Sequence, residues 1–298
     1  SVAFELPVVR LHAVAKGRPP HALLAQVVQV EVCRDEAALQ RMMNIVVVGG
    51  GPTGVEVSGA LAEMKQYVLP KDYPELDFSR MNIFLLEGAD KTLAAMREKS
   101  SQRSGAYLEK LGVKLMTRTL VKNYDGQDVE LNNGEKIPAA TVIWAAGIKG
   151  NIPNGIDKSL IAKGNRIKTD RYCRVLGSEN IYAIGDLAYM ETPAYPTGHP
   201  QVAPAAMQQA GLLAHNLRLM EKNSAKDRLL QFEYHDKGSM ATVGRNLAVV
   251  DLPKPKWSFG GFFAWMIWMG LHLMLILGVK NRFFVFMNWL YNYITYDQ

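Results

Sequence analysis

The sequence predicts an α/β fold built on a parallel, Rossmann-like nucleotide-binding sheet, and three observations carry that prediction. A β-branched apolar run, Ile45 to Val48, breaks directly into the turn Gly49-Gly50-Gly51-Pro52-Thr53-Gly54. A second apolar run, Met81 to Leu86, ends on the acid Glu87. Around them, strand-like and helix-like segments alternate as far as Thr119, the pattern of a parallel βαβαβ unit.

In chain order, residues 1–33 show neither helical nor strand periodicity and stay unassigned, whereas Arg34 to Met43 reads as a helix feeding the Ile45 strand. Gly49, Gly51 and Gly54 fit the G-x-G-x-x-G template. They serve a tight turn, close backbone approach to a pyrophosphate, and close helix-on-strand packing. The helix that follows would turn its N-terminus, with its unpaired N–H groups, towards the phosphates. A glycine turn in an unrelated α/β domain is the bland alternative; strand, helix and acid together weigh against it. Glu87 at a strand tip suits ribose hydroxyls and repels a 2′-phosphate, and no Arg follows it directly, so NADH is favoured over NADPH. The interval from Gly54 to Glu87 exceeds the usual ~20 residues. That excess predicts an inserted loop, Tyr67 to Ser79, with Pro70 and Pro74 in it.

Further on, a helix is expected around 98–111 and a strand at 113–119, then a hairpin turn at Asn133-Gly134. Ala140 to Ala146 reads as a buried strand ending in the small cluster Ala145-Ala146-Gly147, which lets a ligand approach the backbone. Asn180 to Asp186 reads as another strand, tipped by Gly185-Asp186, whose carboxylate could meet a sugar-alcohol chain. Alone, that signal is more often a surface turn.

Composition narrows the function classes. With 48% hydrophobic residues among 298, the chain can bury a real core, and its net charge of +6 comes from scattered rather than clustered bases, which argues against nucleic acid. The two cysteines, Cys33 and Cys173, exclude a disulfide framework, a zinc cluster and a C-x-x-C redox pair, and the six histidines lack metal-ligand spacing. The start of the chain lacks the apolar core of a signal peptide. Trp257 to Val279 carries no formal charge, and Phe283 to Tyr296 adds seven aromatics. The run is long enough to span a bilayer, but glycines and His272 interrupt it. Peripheral insertion is therefore favoured over spanning, with a hydrophobic dimer interface as the third possibility.

From about Arg34 to the C-terminus the chain resembles the type II (non-proton-pumping) NADH:quinone oxidoreductases. The resemblance is carried by GGGPTGVEVSGALAE at 49–63, VIWAAGI at 142–148, NIYAIGD at 180–186, VAPAAMQQAG at 202–211 and DKGSMATVGRN at 236–246. It implies a flavoprotein with two Rossmann-like dinucleotide-binding domains, the NADH domain inserted into the FAD domain, and C-terminal amphipathic membrane helices. The expected bounds are 34–160 for NADH, 161–250 for the C-terminal half of the FAD domain and 251–298 for the membrane segment. The implied setting is the cytoplasmic face of the inner membrane, in the respiratory chain, with menaquinone or ubiquinone as acceptor and a possible homodimer.

For matched positions the resemblance implies roles. Gly49, Gly50, Gly51, Pro52, Thr53, Gly54 and Glu87 would hold NADH, with Ala146 and Gly147 lining the same cleft. Gly185, Asp186 and Ala203 would meet FAD. Glu56 matches a carboxylate near nicotinamide and flavin, its bland reading being a first-turn acid that favours the helix dipole. Lys237 matches a lysine near the isoalloxazine, where a cation stabilises an anionic reduced flavin. The quinone motif A-Q-x-A-x-Q falls on Ala203 to Gln208, with Pro204 in place of its first glutamine; Gln208 and Gln209 keep amide donors for a quinone carbonyl. No earlier G-x-G-x-x-G precedes Gly49. FAD affinity is thus expected to fall, and the alternative is a flavin-free, membrane-associated NAD-binding fragment without turnover. A flavin reductase acting on disulfides is disfavoured by the absence of a redox cysteine pair.

Overall fold

The computed structural model describes residues 35–221, 228–276 and 278–295; the expectation for residues 1–33 lies outside them. They form two compact units: one runs to Gly147 and resumes at Gly238, the other is Ile148–Lys237.

The first unit opens with α1 (Glu36–Met43), whose first turn is closed by the Asp35 carboxylate accepting from the Ala37 N–H. It feeds β1 (Asn44–Val48), which is buried along its whole length. That burial follows from its central place in the parallel sheet β3-β2-β1-β7, where β2 is Asn82–Leu86, β3 Lys114–Met116 and β7 Thr141–Trp144. Side chains alternate across the sheet. Ile45 and Val47 join Ile83, Leu85 and Leu108 in one core, beneath α2 (Pro52–Glu63) and the later helix Glu98–Lys110. Val46 and Val48 join Val129, Leu131 and Ile137 on the opposite face, under the antiparallel meander β4 (Val121–Tyr124), β5 (Asp128–Leu131) and β6 (Lys136–Pro138). Gly134, at φ +86°, makes the predicted hairpin turn between β5 and β6.

Two local expectations are corrected here. The strand expected to be buried at Ala140–Ala146 is the edge strand β7, in which Ile143 is buried but Trp144 is 44% exposed. The expected loop from Tyr67 is helical as far as Asp72. A π-turn at Met64–Val68, in which the Leu69 N–H reaches back to the Met64 carbonyl, leads into α3 (Leu69–Asp72). Pro70 is tolerated because it falls in the first turn of the restarted helix, where an N–H is not needed.

The second unit holds β8 (Ile161–Ala162), β9 (Arg166–Thr169) and β10 (Ala188–Met190) in the order β10-β9-β8. The strand expected at Asn180–Asp186 is instead extended chain with one isolated bridge, Arg174 to Tyr182, followed by a 3-10 turn, Gly185–Leu187. Its partner segment starts from the left-handed Cys173 (φ +66°), so the Cys173–Val175 ladder is too short to build a strand.

After the second unit the chain returns as the antiparallel sheet β11 (Ser239–Gly244), β12 (Leu247–Asp251) and β13 (Ser258–Gly260), which packs on α2. The approach is very close: a Cβ on Gly59 would lie 1.5 Å from the Val243 carbonyl oxygen. Glu56 and Glu63 flank that contact and accept from the Thr242 and Arg245 N–H groups. They thereby satisfy donors on the free side of edge strand β11. Counting Glu98–Lys110 as α4 and Ala203–Glu221 of the second unit as α5, the chain ends in α6 (Phe262–Leu275) and α7 (Val279–Thr295). The uncharged run from Trp257 is therefore split. Arg282 donates to the carbonyls of Met274 and Ile276 and closes the end of α6. Among the described residues no helix is long and apolar enough to cross a membrane.

Gly59→Ala should destabilise the protein by about 1–3 kcal/mol, because neither helix nor strand can yield to the added carbon. A denaturant midpoint equal to wild type would show that α2 does not sit against β11 in this way.

Candidate functional site

In the first unit the glycine turn is shaped by two close contacts. Gly49, at φ +107°, lies so near the end of β7 that a Cβ would be 2.7 Å from the Ala145 oxygen and from the Ala146 Cα. A Cβ on Gly54 would be 1.7 Å from the Gly49 carbonyl oxygen. Gly51 differs from both: its φ is an ordinary −70° and nothing lies within 4 Å of its missing Cβ. The space over Gly51 is where the sequence expects a pyrophosphate. It opens at the N-terminus of α2, where exposed Pro52 takes the first position and exposed Thr53 the second, with no acid and no side-chain cap in the first turn. The first-turn dipole and N–H groups are thus left for an anion.

Glu87 stands at the tip of β2, half-buried. One carboxylate oxygen accepts from the Gly50 N–H, in the middle of the glycine turn, and the other from the Ala89 N–H at 2.6 Å. The acid predicted to hold ribose is thereby fastened to the loop predicted to hold phosphate. Each oxygen keeps a second lone pair for a sugar hydroxyl. Gly147, at φ +97°, follows Ala146 just past β7.

Glu56 lies beyond the first turn of α2, so the dipole reading does not describe it. Its carboxyl faces β11 and accepts from the Thr242 N–H at 3.3 Å. Burial pushes its pKa above the ordinary carboxylate range, against the lowering effect of the Thr242 hydrogen bonds. Glu63, which motif matching passes over, is raised by burial in the same way. The signal that could have found it is the spacing Glu56, Gly59, Glu63, one stripe of a helix with a gap for a neighbouring backbone.

In the second unit Gly185, at φ +66°, opens the 3-10 turn, and its N–H donates to the Gln209 side-chain oxygen at 2.6 Å. Gln209 is 2% exposed. Asp186 is exposed beside that turn, within the field of the Arg166 guanidinium. Ala203 and Pro204 lie exposed at the start of α5. Gln208 pairs twice with the backbone of His235, donating to its carbonyl at 3.0 Å and accepting from its N–H at 2.9 Å. Lys237, exposed, follows two residues later. The buried thiol of Cys173 is pushed up to about 12 by desolvation, which makes it an inert group.

His199, beside Pro200, is 3% exposed. Its Nδ1 faces the Met190 carbonyl at 2.9 Å, and the rings of Tyr195, Phe232 and Tyr234 surround it. Nε2 has no hydrogen-bond partner among the described residues. Burial holds its pKa below the ordinary histidine value, and the charges of Arg166 and Arg171 act in the same direction.

Comparison with known proteins decides the family. Residues 14–210 match the family described as Pyridine nucleotide-disulphide oxidoreductase. The chain belongs to that family. Residues 236–295 match the NDH2 C-terminal domain. The chain is 30% identical over 285 residues to the type II NADH:quinone oxidoreductase Ndh of Mycobacterium tuberculosis, covering 92% of this chain and 59% of that one. It is 34% identical over 271 residues to the mitochondrial internal alternative NAD(P)H-ubiquinone oxidoreductase A1 of Arabidopsis thaliana, covering 86% and 52%. It thus spans little more than half the length of the curated relatives it matches. NDH2 from Plasmodium falciparum, solved in complex with NADH, shares the fold, with a TM-score of 0.79 at 20% identity over 91% of this chain and 70% of that one.

The buried His199 predicts an acid-sensitive fold. Its folded pKa lies below its unfolded value of about 6.5. Stability from this residue is therefore complete above that pH and is lost as pH falls towards the folded value. His199→Asn keeps a donor for the Met190 carbonyl but cannot charge. The melting temperature of the wild type should drop more between pH 7 and pH 5 than that of the variant, and parallel drops would refute the assignment.

Proposed function

We propose that this chain carries the NADH site and part of the flavin site of a type II NADH:quinone oxidoreductase, which passes electrons from NADH through FAD to menaquinone or ubiquinone. The single observation behind this reading is the open cradle over Gly51, tied through Gly50 to the carboxylate of Glu87. The first-turn N–H groups of α2 take the pyrophosphate, and Glu87 accepts the ribose hydroxyls and repels a 2′-phosphate. Glu56 contributes a carboxyl that burial makes easier to protonate, with Oε1 held by the Thr242 N–H.

The second unit supplies polar groups suited to a flavin. Exposed Asp186 offers a carboxylate to a polyol chain, beside a turn whose shape Gln209 maintains. Lys237 brings a positive charge of the kind that stabilises an anionic ring. FAD, when bound, supplies a carrier that accepts a hydride and gives up electrons to a quinone. With one amide hydrogen given to the His235 carbonyl, Gln208 keeps a second for a quinone carbonyl, while Pro204 brings only apolar contact. The exposed apolar residues of α6 and α7, Phe263, Met274, Phe283 and Ile294 among them, favour a peripheral seat on the membrane surface; the cytoplasmic face of the inner membrane rests on the family resemblance alone.

In the FAD-loaded protein, anaerobic NADH should bleach the visible flavin band and a soluble quinone should restore it. Gln208→Ala should slow the restoring step more than the bleaching step. No bleaching would overturn the proposed function, and equal slowing of both steps would remove Gln208 from the quinone side.

A further inference from the structure

The helical extension after α2 takes no part in the nucleotide site, yet its end lies against the last turn of α7. Lys71 Nζ donates to the Thr295 carbonyl at 3.4 Å. Beside it the turn between β11 and β12 presents Arg245, whose guanidinium sits 3.9 Å from the centre of the Tyr293 ring. The next residue, Asn246, accepts from the Tyr293 hydroxyl at 3.4 Å. Arg245 is itself fixed in place. Its backbone N–H bonds the Glu63 carboxylate at the end of α2, and its charge acts on the same carboxylate.

Tyr293 also connects to α6. Its ring lies 5.4 Å from that of Trp265, and one helical turn earlier Trp289 stacks 6.2 Å from Trp268. These aromatic pairs zip α6 and α7 into an antiparallel hairpin. No residue of α7 is buried. A helix of 17 residues with none fully buried has little stability of its own, so its position depends on the aromatic pairs, on Arg282 at its start and on the contacts at its C-terminal end.

We propose that Arg245 is a clasp that docks the last turn of α7 onto the nucleotide-binding unit and so fixes the hairpin that meets the lipid surface. The lipid part of this statement rests on the membrane reading above; the docking part does not. With α7 held at its end, the exposed stripes Phe263, Ile267 and Met274 on α6 and Phe283, Met287 and Ile294 on α7 are presented in one arrangement instead of many. A guanidinium is needed because it lies flat on the ring; an ammonium would lose that stacking. A contact of this kind changes a docking equilibrium by roughly twofold to thirtyfold.

The test is hydrogen exchange on the full chain, read over residues 289–295, together with co-sedimentation on vesicles of phosphatidylcholine and phosphatidylglycerol. Arg245→Ala and Tyr293→Ala should each speed exchange there by about tenfold. The double variant should be no faster than Tyr293→Ala alone, because Arg245 acts through that ring, whereas Tyr293 also meets Trp265 and Asn246. Tyr293→Phe keeps the ring and should remain close to wild type, and Arg245→Lys, which keeps the charge but loses the planar stacking, should fall between wild type and the alanine variant. Vesicle affinity should fall in parallel with the freed exchange. Unchanged exchange in Arg245→Ala, or additive effects in the double variant, would overturn the clasp. A wild-type chain that fails to bind vesicles would instead overturn the membrane reading, and the exchange data would still decide the clasp.

Discussion

The constraint on which the rest depends is the close approach of α2 to its neighbours at two glycines. At one end, Gly54 lets the helix start against the Gly49 carbonyl, directly off the tip of β1. In the middle, Gly59 lets β11 lie on the helix with no side chain between them. The first contact aims the N-terminus of α2 at the space over Gly51. The second lets Glu56 and Glu63 reach the N–H groups of an edge strand. A longer side chain at either glycine would move the helix, and with it the cradle and both buried carboxyl groups.

Much of this arrangement is legible in sequence because it depends on local rules. A β-branched run followed by spaced glycines specifies strand, turn and helix; the apolar run ending on Glu87 specifies the neighbouring strand; Asn133-Gly134 specifies a hairpin. What is not legible depends on partners far along the chain. Nothing near Gly59 announces that residues 239–244 will return to cover it. The helical extension through Pro70 is hidden because a proline ordinarily ends a helix, and only the π-turn before it makes room. Likewise Asn180 to Asp186 has the composition of a strand but lacks a partner long enough to pair with.

The candidate site divides the same way. The glycine turn and Glu87 were readable from type and spacing, and the hydrogen bond from Gly50 to Glu87 joins two signals that stand 37 positions apart. The two glutamines were readable only as amides. In the structure Gln209 maintains the Gly185 turn and Gln208 holds the backbone of His235, so each amide has an internal partner alongside any external one. His199 shows the limit of pattern reading most plainly, since a histidine beside a proline looks solvent-exposed until the aromatic rings close around it.

The account stands or falls on the nucleotide site, and the most direct measurement is equilibrium binding of NADH and of NADPH to the wild type and to Glu87→Ala. The wild type should prefer NADH. The variant should lose about 1–3 kcal/mol of NADH affinity through the missing ribose hydrogen bonds, and its preference over NADPH should shrink as the repelling charge disappears. Unchanged NADH affinity, or an equal loss for both nucleotides, would contradict the placement of ribose at Glu87.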